Sequence, residues 1–124
     1  MPFTLQIFPE QKLVLTKLFG EVNEKEYLAV GAAMRSHPDF DPAFSEMIDC
    51  TGIANFDISI AFLERVAAAQ SIFSISSKHI VVAPRDYLYG LGRMAQTLAE
   101  QTKPNTVVVR TLAEAYEILG IKQA

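Results

Sequence analysis

Few side chains in this 124-residue sequence are of the kinds that do covalent or acid–base chemistry near neutral pH. Cys50 is the one thiol, and His37 and His79 are the two imidazoles. A cysteine nucleophile needs a neighbouring base to draw off its proton. The hydrophobic pattern places Cys50 at the end of a strand and His79 before the start of the next parallel strand, at opposite ends of one sheet. A Cys–His pair is therefore geometrically poor, and Cys50 reads as a small buried thiol. His37, Asp39 and Asp41 have ligand-type side chains, but Pro38 and Pro42 fit a plain helix-to-strand turn rather than a metal site. Asp49, Asp57 and Asp86 can converge at one sheet edge, yet no base, metal or acid partner accompanies them. Neither a Gly-x-Gly-x-x-Gly nor a Walker pattern occurs. No catalytic residue, metal site or cofactor is expected, and the chain does not read as an enzyme.

The elements that would position these residues follow from periodicity. Phe3 to Phe8 alternates, Pro9-Glu10-Gln11 breaks the pattern, and Lys12 to Phe19 resumes it, which predicts an antiparallel hairpin. Gly20 is expected to end the second strand. Asn23 with Glu26 has the form of a helix cap, and Tyr27, Val30, Gly31 and Met34 recur at helical spacing up to about Ser36. Phe44 to Cys50 reads as the third strand and Thr51 to Phe56 as a loop. Asp57 is expected to cap a second helix with Phe62, Leu63, Val66, Ala69 and Phe73 along one stripe. Ile80 to Ala83, just after His79, reads as a strand buried on both faces.

Pro84-Arg85-Asp86 opens a third helix in which Leu88, Gly92, Ala95 and Ala99 face inward, Gly92 pressing against the sheet. Gly90 reads either as a point of close approach or as an irregularity of the helix start. Arg93 is within one turn of Asp86 and Tyr89. Thr106 to Arg110 is a further strand, and Thr111 with Glu114 caps a last helix that ends at Gly120. The order is ββαβαβαβα: one α/β domain spanning 1–124, with a mixed, mostly parallel five-stranded sheet and about four helices. Ligands of open α/β sheets bind beyond the carboxyl ends of the strands. That rule selects Asp49 and Thr51 after the third strand, Asp86 after the fourth, and Arg110 and Thr111 after the fifth.

Composition narrows the classes further. Residues of the types AVILMFWYC make up 50% of the chain and charged residues 20%, which excludes a disordered or fibrous protein. One cysteine excludes a disulfide scaffold. A net charge of −3 and a pI near 5.3 argue against a nucleic-acid surface. The charge-free stretch from Val66 to Ser77 is too short for the roughly 20 residues that span a bilayer, so no stable membrane insertion is expected. The N-terminus has no secretory pattern, and a cytoplasmic protein is the expectation.

The strand end Met47-Ile48-Asp49, the helix start Asn55-Phe56-Asp57-Ile58-Ser59 and the segment Val82 to Met94, taken with the element order, resemble the SpoIIAA-like proteins. So does the closing run Val109 to Ala115. That group is allied to the STAS domains and, in fold, to CRAL-TRIO lipid carriers. In STAS anti-sigma-factor antagonists an Asp-Ser-Ser-Gly motif opens a helix and its second Ser is phosphorylated by a partner kinase. Asp57 matches the motif's Asp and Ser59 the phosphorylated Ser, while Ile58 and Ile60 replace the first Ser and the Gly. The resemblance implies a non-catalytic regulatory module that binds a protein partner or forms a homodimer through the surface around Asp57, Ser59 and the third helix; with the strand-end residues Asp49, Thr51 and Asp86, the candidate site residues are then Asp57, Ser59, Tyr87, Tyr89 and Arg93. The lipid-carrier relatives imply the alternative, a binder or carrier of a small apolar or amphipathic molecule. That alternative expects a cavity beside Phe56, Ile58, Phe62, Tyr87 and Tyr89.

Overall fold

A computed structural model describes residues 2–122. Strand β1 (Phe3–Phe8) pairs antiparallel with β2 (Leu13–Asn23), in register from Phe3 opposite Leu18 to Phe8 opposite Leu13. A single 3-10 turn, Pro9–Gln11, joins them and closes on Lys12 in the left-handed region at φ 53°. The chain then alternates α1 (Glu24–Ser36), β3 (Ser45–Asp57), α2 (Ile60–Ala68), β4 (His79–Val82), α3 (Asp86–Leu98), β5 (Thr106–Val109) and α4 (Leu112–Leu119). The five strands lie side by side in chain order, and β2 to β5 are parallel. This is the expected ββαβαβαβα architecture.

The two faces of the sheet are covered unequally. Leu18, Val22, Cys50 and Ile53 pack with Phe62 and Leu63 of α2 and Leu88 of α3, and Tyr27 and Val30 of α1 join the same layer. On the other face Leu15, Met47, Ile80 and Val82 meet Ala115 and Tyr116 of α4. Three crossover helices thus share one face and the terminal helix takes the other. Because β2 to β5 follow one another without a reversal of order, no crevice of the kind found at a strand-order switch opens among them.

Two expectations about the strands are corrected. Gly20 does not stop β2; it takes φ +68° and carries the strand through a bulge to Asn23. The segment 51–56 is therefore strand rather than loop, because the prolonged β2 gives it a partner as far as Asn23 opposite Asp57. A Cβ on Gly52 would lie 2.9 Å from Phe19 Cβ, so the close pairing of the two strands requires glycine there. Asp49, expected at the end of β3, is consequently mid-strand at the level where β4 stops, opposite Val82.

Helix α2 also differs. Its cap is Ser59, whose Oγ accepts from the Phe62 N–H at 3.1 Å; Asp57 is the last residue of β3. The helix ends at Ala68 and Phe73 lies beyond it. Serine hydroxyls and turn bonds take over there: Ser71 Oγ accepts from Phe73 N–H, and the Ser74 N–H donates to the Pro42 carbonyl. Phe73 remains buried, edge-on to Phe40 and His79. The other caps agree with the sequence. Asn23 Oδ1 accepts from Glu26 N–H, Thr111 Oγ1 accepts from Glu114 N–H, and Gly120 closes α4 at φ 70°. Gly92 presses on the sheet as expected, since a Cβ there would lie 3.1 Å from Val108 Cγ1, whereas Gly90 faces open space.

Candidate functional site

The carboxyl ends of β4 and β5 bring together part of the expected set. Arg110 donates to Asp86 Oδ1 at 2.6 Å and to the Pro84 carbonyl, and its guanidinium lies 4.0 Å from the centroid of the Tyr89 ring. Arg93 donates to the Tyr89 hydroxyl at 3.4 Å rather than to Asp86. Arg85 donates to the Ile53 carbonyl of the prolonged β3. Arg110 is the organising residue of this cluster, and sequence reasoning placed it at the strand end without assigning it these partners. The cluster is solvent-facing, with Asp86, Tyr87 and Arg93 all exposed. Each contact of this kind contributes under about 1 kcal/mol.

The remaining expected residues lie apart from it. Asp49 is buried, accepts from the Thr51 N–H at 2.9 Å, and lies in register with Val82, which belongs to the α4 face of the sheet. Thr51 and Asp57 are exposed on β3. Ser59 joins neither group. Its N–H and its hydroxyl both donate to Glu24 Oε2, at 3.2 and 3.0 Å, which clasps the start of α2 to the start of α1. None of these candidate residues, nor the Asp86 cluster, lines either of the two cavities described below. Phe62 and Ile58 are core residues.

A cavity of about 240 Å³ lies instead toward the amino ends of the parallel strands. Thr16, Leu18, Glu46 and Ile48 line it from the sheet, and Val30, Gly31 and Met34 line it from α1; Val66 and the segment after α2 complete the wall. Exposed Leu28, Arg35 and Gln70 mark its opening. A smaller space of about 70 Å³ shares Tyr27, Glu46 and Val66 and continues toward His79 and Gly92. The space opens to solvent on one side, and Gly31 of α1 lines it. A glycine inside a helix costs about 1 kcal/mol relative to alanine, and a Cβ at Gly31 would touch only Arg35 Nη1 at 3.6 Å. Neither a turn nor a close helix contact requires glycine there.

On the sheet side the polar groups of the cavity, Thr16 and Glu46, are buried; Arg35, Gln70, Ser71 and Lys103 also line it. Glu46 and His79, adjacent in register on β3 and β4, bond through Glu46 Oε1 and His79 Nδ1 at 2.7 Å, with 6% and 2% of their surface exposed. Thr16 is 1% exposed, and its Oγ1 has no hydrogen-bond partner among the described residues. An orphaned buried hydroxyl costs about 1–3 kcal/mol. Burial, with the Glu46 and Cys50 charges adding to it, raises the Tyr27 phenol above its usual range and keeps it a protonated donor. Burial also pushes the Cys50 thiol up to about 12, with Asp49 adding to the effect, so Cys50 has no nucleophilic character at neutral pH. The sheet face under α1 and α2 thus offers an apolar space whose floor carries an acceptor at Glu46 and an unpaired hydroxyl at Thr16. Sequence reasoning missed Thr16, Glu46 and His79. The available signal was alternation, since Glu46 shares a strand face with Ile48 and Cys50, where an apolar residue is the norm.

Among the described residues no group of three or more His, Cys, Asp and Glu side chains could hold a metal ion. His37 Nδ1 and Asp41 Oδ1 instead accept from the Asp39 and Ala43 N–H groups and fasten the turn. No described helix is long and apolar enough to cross a membrane. Compared with protein-family models and with curated proteins, the chain matches none.

Proposed function

We propose that this chain is a non-catalytic binder of a small, mainly apolar molecule, which it holds between the sheet and α1. The observation that carries this reading is Gly31, a destabilising residue in mid-helix that lines the cavity where a side chain would have room. The volume suits a molecule of roughly ten non-hydrogen atoms, scaled from benzene in a cavity of about 150 Å³. The likeness to lipid carriers noted in the sequence points the same way, although the ligand sits at the other end of the strands from the place the sequence selected. The test is titration with 4-propylphenol followed by methyl NMR. Saturable shifts at Val30, Met34 and Val66 are expected in the wild type, with none in Gly31→Leu, whose side chain fills the space and raises the melting temperature. Unchanged binding by Gly31→Leu would overturn the assignment of the site.

A second reading, a cytoplasmic STAS-type module acting on a protein partner or a second copy, is favoured by Ser59. Its hydroxyl is exposed at the cap of α2, at the position that matches the phosphorylated serine of that family. A phosphoryl group on Ser59 would lose the donor to Glu24 and place a dianion against that carboxylate, parting α1 from α2. Phosphate on Ser59 in the intact mass of freshly purified protein supports this reading. An unmodified chain that neither dimerises nor retains a partner counts against it.

A further inference from the structure

Resting on the ligand-binding reading, we propose that the bound molecule is neutral and carries a hydroxyl group at its buried end, held between Thr16 and Glu46. Thr16 lies in register with Ile48, and Glu46 is two residues earlier on the same face of β3. The two are diagonal neighbours on adjacent parallel strands. Both side chains line the same cavity. Glu46 Oε1 is committed to His79, which leaves Oε2 to accept from a ligand group that donates. Thr16 Oγ1, the orphan, donates or accepts as its partner requires.

A single hydroxyl oxygen satisfies both sides, giving its proton to Glu46 and taking one from Thr16. A hydrocarbon would seal the Thr16 hydroxyl away from water without a partner. A carboxylate at the buried end would bring a second negative charge against Glu46, and Arg35, the cation at the opening, lies on the far side; Lys103 also lines the cavity, and the benzoate arm of the test reads whether it offsets that repulsion. Gly31, Val30 and Ile48 supply apolar walls for the rest of the molecule, and the opening lies on the far side, at Arg35 and Gln70. The polar end therefore enters first.

The experiment is isothermal titration of the full chain and of Thr16→Val with 4-propylphenol, propylbenzene and 4-propylbenzoate. In the wild type the phenol is expected to bind about tenfold more tightly than propylbenzene, the ratio that one hydrogen bond of ordinary net strength gives. The benzoate should bind more weakly than the phenol. In Thr16→Val the preference for the phenol should shrink to within about threefold while propylbenzene binding is retained, which also shows that the variant is folded. Equal wild-type affinity for phenol and hydrocarbon, or tightest binding of the benzoate, overturns the hydroxyl assignment and leaves the ligand-binding reading standing. Binding of none of the three overturns both.

Discussion

At the carboxyl ends of β4 and β5, Asp86, Arg110, Tyr89 and Arg93 bond to one another at the surface. Toward the amino ends of the parallel strands, Glu46 and His79 bond to each other beneath the helices, and the Thr16 hydroxyl bonds to no described residue. In the first region water would satisfy every group whether or not the contact formed, so the contacts order side chains without adding much stability. In the second, water is largely excluded, and each polar group is costly unless paired. A fold that only needed a stable core would place valine or leucine at all three buried positions. Their presence beside a cavity lined by Gly31 is what the proposed binding function rests on.

The largest effect should come from splitting the buried pair. Glu46→Leu leaves His79 unpaired in the core, and urea denaturation should show a loss of about 3 kcal/mol or more. Replacing both partners, as Glu46→Leu with His79→Leu, should cost clearly less than the single change. A single variant as stable as the wild type would remove the contrast between the two ends.

The buried thiol gives a pH dependence of the next size. An unfolded Cys50 ionises near its ordinary 9.0 and the folded one near 12, so between these values the folded chain keeps a proton that the unfolded chain releases. This contribution to stability is whole below pH 9 and is lost as pH rises toward 12, by up to about 1.4 kcal/mol per pH unit. Tyr27 acts in the same direction at higher pH. Equilibrium denaturation across this range should show the decline, and Cys50→Ala should flatten its lower part.

One substitution made at two threonines sharpens the comparison. Thr16→Val removes an unpaired hydroxyl and should stabilise by about 1 kcal/mol. Thr111→Val removes a cap that receives the Glu114 N–H and should destabilise by about 1 kcal/mol. Equal signs in thermal denaturation would mean that Thr16 has a partner. The smallest effect is expected at the surface cluster, where Asp86→Ala and Arg110→Ala should each change stability by under about 1 kcal/mol, less still in high salt.

What the sequence made legible was whatever is decided locally. Asn23, Thr111 and Gly120 cap helices through bonds to residues within four positions, and Gly92 betrays its packing by being a glycine on an inward stripe. Gly20 misled because the same residue that ends a strand also permits a bulge, and only the presence of β3 alongside decides between them. The cavity was hidden for a stronger reason. Glu46 and His79 are 33 residues apart, and they meet only once β3 and β4 adopt a register that neither segment specifies alone. Gly31 stood on the buried stripe of α1 and read as ordinary helix packing, because what it faces is set by Thr16 and Ile48 on two other strands.

The most direct measurement is a crystal structure of the chain saturated with 4-bromophenol, in which anomalous scattering locates the bromine. The bromine should lie in the cavity on the side of Arg35 and Gln70, with the phenol oxygen within hydrogen-bond distance of both Thr16 Oγ1 and Glu46. A bromine beside Tyr89 and Arg110, or no ordered bromine at saturating concentration, would contradict the assignment of function to the amino ends of the strands.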